Sequence, residues 1–200
     1  ADSGGVARIA FVRSAEDAVT VRVQGLIKQA IQEGIPEANI SRQIVTNVNF
    51  VRKETEAWSQ SYAKMVFRTN LNTAVTAGRF RQSQDQDIKA VLPAFQFDSV
   101  GDADTRHNHD AGDGVILVSD NRLWNTLSPP LGYNCRCTVR LVSIPELRRM
   151  NRFRDQPTQG YTRVSDTVYV REDHPPAGWR PDEKFRHGGR PDLMLNKAVG

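Results

Sequence analysis

Residues 102–137 read DADTRHNHDAGDGVILVSDNRLWNTLSPPLGYNCRC, and they hold both cysteines of the chain and two of its four histidines. Cysteine, histidine and aspartate together are the residue types that bind metals, pair as nucleophile and base, or lock a polar core. Function is therefore sought here, with the remainder as support. The stretch also marks a change of character, because helical periodicity precedes it and strand alternation flanks and interrupts it.

Working outward, Asn134 to Ser143 reads as a strand that places Cys135, Cys137, Val139 and Leu141 on one face and Arg136, Thr138 and Arg140 on the other. Both thiols then face the core. Val115 to Val118 reads as a second strand, and Ala94 to Val100, with Phe95 and Phe97 on one face, as a third. Pro93 ends the helical region. Upstream of it, Ile44, Val48, Val51, Trp58, Tyr62, Met65 and Val66 recur at helical spacing from Ser41 onward, and the pattern runs on through Leu71, Ala74, Val75 and Phe80. This predicts one long amphipathic helix or two stacked ones, with core packing for Trp58, Tyr62 and Met65. A break is expected near Asn70, Asn72 or Gly78, which are weak helix formers. Ser14 to Glu33 reads as a further helix, with an N-cap serine, Glu16 and Asp17 in its first turn, and Gly34 and Pro36 at its close. Against it, Val19, Val21 and Val23 alternate as a strand would.

These elements predict an α+β fold with N-terminal helices packed on a small, mainly antiparallel sheet. The chain divides into a helical segment (1–40), a domain of helices followed by sheet (41–143) and an extended arm rich in proline and glycine (144–200). Apart from a short strand at Val164 to Val170, the arm has too few apolar residues to build its own core, and docking on a partner is expected to order it.

Composition narrows the classes. The chain is 38% hydrophobic and 25% charged, which is ordinary for a globular protein. No stretch approaches the roughly 18 to 20 apolar residues of a membrane span, so a soluble protein is expected. The net charge is +4, and residues 144–200 carry 11 basic against 8 acidic side chains, so the excess falls late in the chain. Contact between this arm and DNA is one reading of that excess, and a solvated surface is the other. Two cysteines one residue apart close only a strained ring, so reduced thiols and an intracellular history are expected. The sequence starts at Ala1 without an initiator methionine, as a trimmed product or a segment of something longer would.

Three readings of the 102–137 constellation stand side by side. As a metal site, Cys135, Cys137 and His109, with Asp102 or Asp113 beside them, supply the three or four ligands that zinc takes, although cysteines one residue apart are unusual for it. As a catalytic site, His109 is the base, Asp102 or Asp113 orients it, and a cysteine or a water attacks, as in a metal-assisted hydrolase or nuclease. No glycine-rich anion cradle sits beside Cys135 to activate a thiolate. As a brace, Arg106, His109 and the carboxylates form a hydrogen-bonded network around two small core cysteines. In that preferred reading Asp113-Gly114 is a turn into the next strand, Pro129-Pro130 is a rigid entry to the last one, and His107, His174 and His187 are surface residues.

Taken as a string, Asp102-x3-Arg106-x2-His109-x3-Asp113-Gly114, then Trp124, Pro129-Pro130 and Asn134-Cys135-Arg136-Cys137, resembles the signature of the Mu F-like minor head proteins, the head-morphogenesis family of tailed bacteriophages. Upstream, Arg68-Thr69-Asn70 followed by Ala74, Ala77 and Gly78 is similar to a helix of that family, with Asn70 where glutamate is usual. Pro175-Pro176-Ala177-Gly178-Trp179 is a weaker echo of a Gly-aromatic motif that follows the core domain. The resemblance covers roughly Ser41 to Ser143. It implies a minor capsid protein without enzymatic activity, a virion component near the portal vertex that is found in the host cytoplasm during assembly. The partners it implies are the portal and major capsid proteins, with packaged DNA reached through the basic arm and no membrane. On this reading Asp102, Arg106, His109, Asp113, Gly114, Trp124, Pro129, Pro130, Cys135 and Cys137 hold a structural module together. No cofactor is expected, with zinc on Cys135, Cys137, His109 and Asp102 left open.

Overall fold

The computed structural model describes residues 17–52, 59–183 and 185. Three helices come first: α1 (Asp17–Glu33), α2 (Glu37–Arg52) and α3 (Gln60–Gln82). After them come α4 (Gln86–Val91), β1 (Ala94–Asp98), the one-turn helix α5 (His107–Asp110), β2 (Ile116–Val118), the one-turn helix α6 (Trp124–Leu127) and β3 (Thr138–Val142). The remainder forms α7 (Ile144–Arg149), β4 (Phe153–Arg154), β5 (Thr162–Ser165) and β6 (Val168–Val170). The fold is α+β, as the periodicities predict.

Helix α1 settles the valine ambiguity: Val19 and Val23 are buried and Val21 is 67% exposed, which is helical spacing and not alternation. Gly34 ends it at φ +67, a left-handed position that glycine adopts without a side-chain clash. Ser14, the expected cap, lies outside the described residues, as does Trp58. Helices α1, α2 and α3 share a core of Val19, Val23, Ile27, Ile40, Ile44, Val48, Val66 and Phe67, with Tyr62 and Met65 half-buried against it. Of the two arrangements expected for the long helical pattern, the paired one is found, since α2 and α3 are separate helices.

The break near Asn70, Asn72 or Gly78 does not occur; α3 runs unbroken through all three. Asn70 donates back to the carbonyl of Val66 at 2.7 Å, and the Asn72 side chain bonds outside the helix. Gly78 sits on an open surface. Tertiary contacts override a propensity deficit of at most about 1 kcal/mol per residue.

The main sheet has the order β2-β1-β3 and is antiparallel throughout. Phe95 lies opposite Leu117 on one side and Leu141 on the other, and Phe97 lies opposite Val139. One face of this sheet packs Phe95, Phe97, Leu117 and Val139 with Phe80 of α3, Trp124, Leu131, both cysteines and Trp179. The opposite face packs Ala94, Ile116, Val118 and Val142 with Leu147, Phe153, Val168 and Val170.

That second packing modifies the expectation for residues 144–200. Through Val170 the segment folds into α7 and a second antiparallel sheet, β4-β6-β5, instead of waiting for a partner. Its few apolar residues suffice because the back of the main sheet supplies the other half of the core. The short strand expected at 164–170 is a hairpin of β5 and β6. Beyond it the chain is extended, as anticipated, and runs back along the main sheet. There Glu172 and Asp173 accept the backbone N–H groups of Val118 and Ile116, both at 2.8 Å, while Asp173 donates its own N–H to the Ile116 carbonyl. β2 is an edge strand, and these carboxylates satisfy backbone groups that would otherwise template a foreign strand.

Helix α7 begins with a reciprocal cap. The Ser143 hydroxyl accepts from the Glu146 N–H, and the Glu146 carboxylate accepts the Ser143 N–H at 2.9 Å and an Arg140 bond at 2.9 Å. The Ser143 N–H and hydroxyl, with Arg140 behind them, pull the Glu146 carboxyl down to about 2 from its ordinary 4.5. Folding lowers this pKa, so the stabilisation is whole above about pH 4.5 and is lost as the pH falls toward 2. Glu146→Gln is expected to cost about 1 kcal/mol at neutral pH and to flatten this part of the acid limb. Urea melts of both proteins between pH 2 and 7 measure it, and parallel acid limbs would refute the assignment.

Candidate functional site

The residues of the 102–137 constellation divide into three groups in space. The first is buried. His109, on α5, is 1% exposed, and Cys135 and Cys137 are each 3% exposed. The His109 Nδ1 atom lies 3.6 Å from Cys135 Sγ and 3.9 Å from Cys137 Sγ, and all three donor atoms fall within 4.8 Å of one another. This is the one group of three or more metal-capable side chains among the described residues.

Local structure explains the convergence. The cysteines lie just before β3 and keep its alternation, so both sulfurs face inward while Arg136 between them is exposed. The Asn72 side-chain amide donates to the carbonyls of Cys135 and Cys137 at 3.0 and 2.9 Å, fastening α3 to this backbone. Asn134, at φ 58, donates its N–H to the Thr69 hydroxyl at 2.9 Å. On the other side, Arg106 precedes α5 and accepts the N–H groups of His109 and Asp110, which presents the imidazole to the sulfurs.

The two thiols perturb each other. The Cys137 thiol donates to Cys135, which lowers the Cys135 pKa against the opposing effect of burial, with His109 adding to the fall. Cys137 is pushed up, first by that same hydrogen bond and then by burial and the neighbouring negative sulfur.

Asp102 is not part of the group. It forms a bidentate pair with Arg136 at 2.6 and 2.7 Å on the surface, and the guanidinium holds its carboxyl down to about 2. Asp113 is also elsewhere, accepting the Ser99 N–H at 2.8 Å, while neighbouring Asp110 accepts the Ser99 hydroxyl. Gly114 makes the expected turn at φ +75, after which its N–H bonds the Phe97 carbonyl. Neither Asp102 nor Asp113 orients His109.

The carboxylate that does so comes from Asp182, 73 residues away, whose Oδ1 lies 3.1 Å from His109 Nε2. Asp182 also accepts from Asn108 at 3.2 Å and pairs with Arg106 at 3.3 Å, and its N–H bonds the Leu131 carbonyl at 2.8 Å. Gly132 leaves room for it, since a Cβ there would fall 1.9 Å from Asp182 Oδ2. Nothing in the spacing of the sequence points to Asp182. The one signal nearby is Trp179, which inserts its indole against Gly112 and into the main core.

The third group is purely structural. Trp124 is fully buried and donates to the Val118 carbonyl at 3.0 Å. Pro129 and Pro130 are buried between α6 and Leu131 and are joined by a cis peptide bond. Arg68, in the upstream motif, forms a bidentate pair with Glu37 of α2 at 2.6 and 2.8 Å. An open cleft of about 730 Å³ borders the buried group, lined by Arg106, His107, Asn108, Tyr133, Arg180 and Phe185.

The family model for Phage Mu protein F like proteins matches residues 21–140, from within α1 to within β3. The chain belongs to that family. Among curated relatives of this Mu F-like chain, the putative capsid assembly protein F of Escherichia phage Mu is 27% identical over 146 residues, covering 66% of this chain and 33% of that protein. The Mu-like prophage FluMu F protein of Haemophilus influenzae is 26% identical over 140 residues, covering 63% and 33%. The match thus spans about a third of the length of either relative. No solved structure gives a significant match. Among the described residues, no helix of this Mu F-like chain is long and apolar enough to cross a membrane.

Proposed function

We propose that this chain is a minor capsid protein that acts in phage head assembly at the portal and major capsid proteins, without turnover of its own. The capsid-assembly name of the phage Mu relative supports the assembly role. The observation that carries the mechanistic part is the burial of the motif's reactive side chains. His109, Cys135 and Cys137 are at most 3% exposed, and they sit where α5, the start of β3, helix α3 through Asn72, and the C-terminal segment through Asp182 converge. A group closed to solvent and bonded on every side braces a scaffold. It offers no attacking atom to a substrate in solution.

The scaffold then acts through its surfaces. The cleft beside Asp182 mixes arginines, a histidine and aromatic rings, a composition that suits a protein partner. On this reading the chain resides in the phage head near the portal vertex and in the host cytoplasm while heads are being built.

A phage carrying a tagged copy tests the proposal. The tagged protein is expected in purified heads and cross-linked to the portal or major capsid protein, and deletion of its gene should abolish filled heads. Absence from particles together with normal yield after deletion would refute it. Nuclease assays on the purified protein with added divalent metal are expected to show no cleavage, and cleavage lost in His109→Ala would overturn the non-enzymatic part.

A further inference from the structure

The buried trio has the dimensions of a metal site. A tetrahedral zinc ion with bonds of about 2.3 Å to sulfur and 2.0 to 2.1 Å to nitrogen holds sulfur and nitrogen about 3.6 Å apart. The distances from His109 Nδ1 to the two sulfurs are 3.6 and 3.9 Å. One bond-length adjustment of a few tenths of an ångström accommodates the ion.

The surroundings match what a bound cation demands. Asp182 at Nε2 fixes the imidazole proton on that nitrogen and leaves the Nδ1 lone pair directed at the sulfurs. Asn72 clamps the carbonyls on either side of Arg136, which holds the two cysteines in one register. Buried thiolates without a counter-charge are costly, and a divalent cation offsets that cost.

We propose that His109 Nδ1, Cys135 Sγ and Cys137 Sγ bind a single zinc ion, and that Asp182 is the positioning carboxylate which couples this ion to docking of the C-terminal segment. On binding, the thiol protons are released to solvent and two sulfur–zinc bonds and one nitrogen–zinc bond form. Asp182 reaches His109 only when Trp179 and Arg180 are seated, since the Arg180 backbone pairs with Asn108 and the Trp179 indole lies on Gly112. Metal loading and the seating of residues 175–183 thus stabilise one another.

The full chain, purified under reducing conditions without chelator, is expected to contain about one zinc per molecule by elemental analysis. Cobalt in its place should give the thiolate-to-metal charge-transfer absorption and the intense visible bands of a tetrahedral sulfur site. Cys135→Ser and Cys137→Ser should each lose that charge-transfer intensity. Asp182→Asn leaves the ligands in place, so it should keep one metal per chain with affinity about 10- to 100-fold weaker in competition with a chromogenic chelator. Chelation of the wild-type protein should speed chymotrypsin cleavage after Trp179, which is buried when the segment is seated. A folded wild-type chain that carries no zinc and takes up neither zinc nor cobalt when supplied would overturn the site. If the cysteine variants fail to fold, the wild-type cobalt spectrum and the Asp182→Asn affinity still decide. Unchanged affinity in Asp182→Asn, with chymotrypsin cleavage after Trp179 indifferent to chelator, would overturn the coupling.

Discussion

Trp124→Ala is expected to remove about 3 to 5 kcal/mol of stability, the range for emptying a buried aromatic site. Trp124 is 0% exposed and stands at the meeting point of Phe80, Phe95 and Trp179, with ring centroids 5.8, 5.9 and 6.0 Å away in edge-to-face arrangements. Its indole also donates to the carbonyl of Val118 at the end of β2. Truncation opens a cavity between three rigid rings that cannot close over it, and it leaves that carbonyl without its partner. Trp124→Phe keeps most of the volume and loses the donor, so a smaller cost of about 1 to 2 kcal/mol is expected from it. Urea denaturation reads both as a midpoint shift at constant slope. Equal costs for the two variants would mean that the hydrogen bond, and not the volume, is what Trp124 supplies.

The second large effect comes from a single added methyl group. At Gly112 a Cβ would lie 2.3 Å from Trp179 Nε1 and 2.4 Å from its Cδ1. Buried within the core, the indole is rigid and enclosed, so Gly112→Ala must expel it and with it the seating of Arg180 and Asp182. The expected cost is about 2 to 4 kcal/mol, near that of losing a buried tryptophan. Residues 175–183 should become protease-sensitive and the fluorescence of Trp179 should shift to the red. Gly78→Ala is the control, because Gly78 lies mid-helix and a Cβ there would meet no atom within 4 Å. It should stabilise by about 0.5 to 1 kcal/mol. A neutral Gly112→Ala, with the segment still protected, would show that Trp179 is not wedged against this backbone.

The two sites illustrate what was readable in advance. Phe95, Phe97, Cys135, Cys137 and Val139 keep to one face of the sheet as their alternation requires, because a period of two leaves a short strand no other choice. The pairing of α2 and α3 likewise follows from apolar spacing. The continuity of α3 through Asn70 and Asn72 did not follow, since the bonds that tolerate those residues reach Val66 within the helix and the CxC backbone 63 and 65 residues away. Asp102 and Asp113 were the acids the motif offered His109, yet the exposed Arg136 takes the first and the Ser99 N–H the second, while the acid that meets His109 arrives from the far end of the described chain.

Local order in the sequence thus carried the class of fold, the inward aim of both sulfurs and the family to which the chain belongs, because each depends on residues a few positions apart. The partner of His109, the capping of the β2 edge by Glu172 and Asp173, and the burial of Trp179 against Gly112 depend on how the last part of the chain returns across the first sheet. That return is set by the shape of a packed core and by unpaired backbone groups on an edge strand. Neither exists until the preceding elements have assembled.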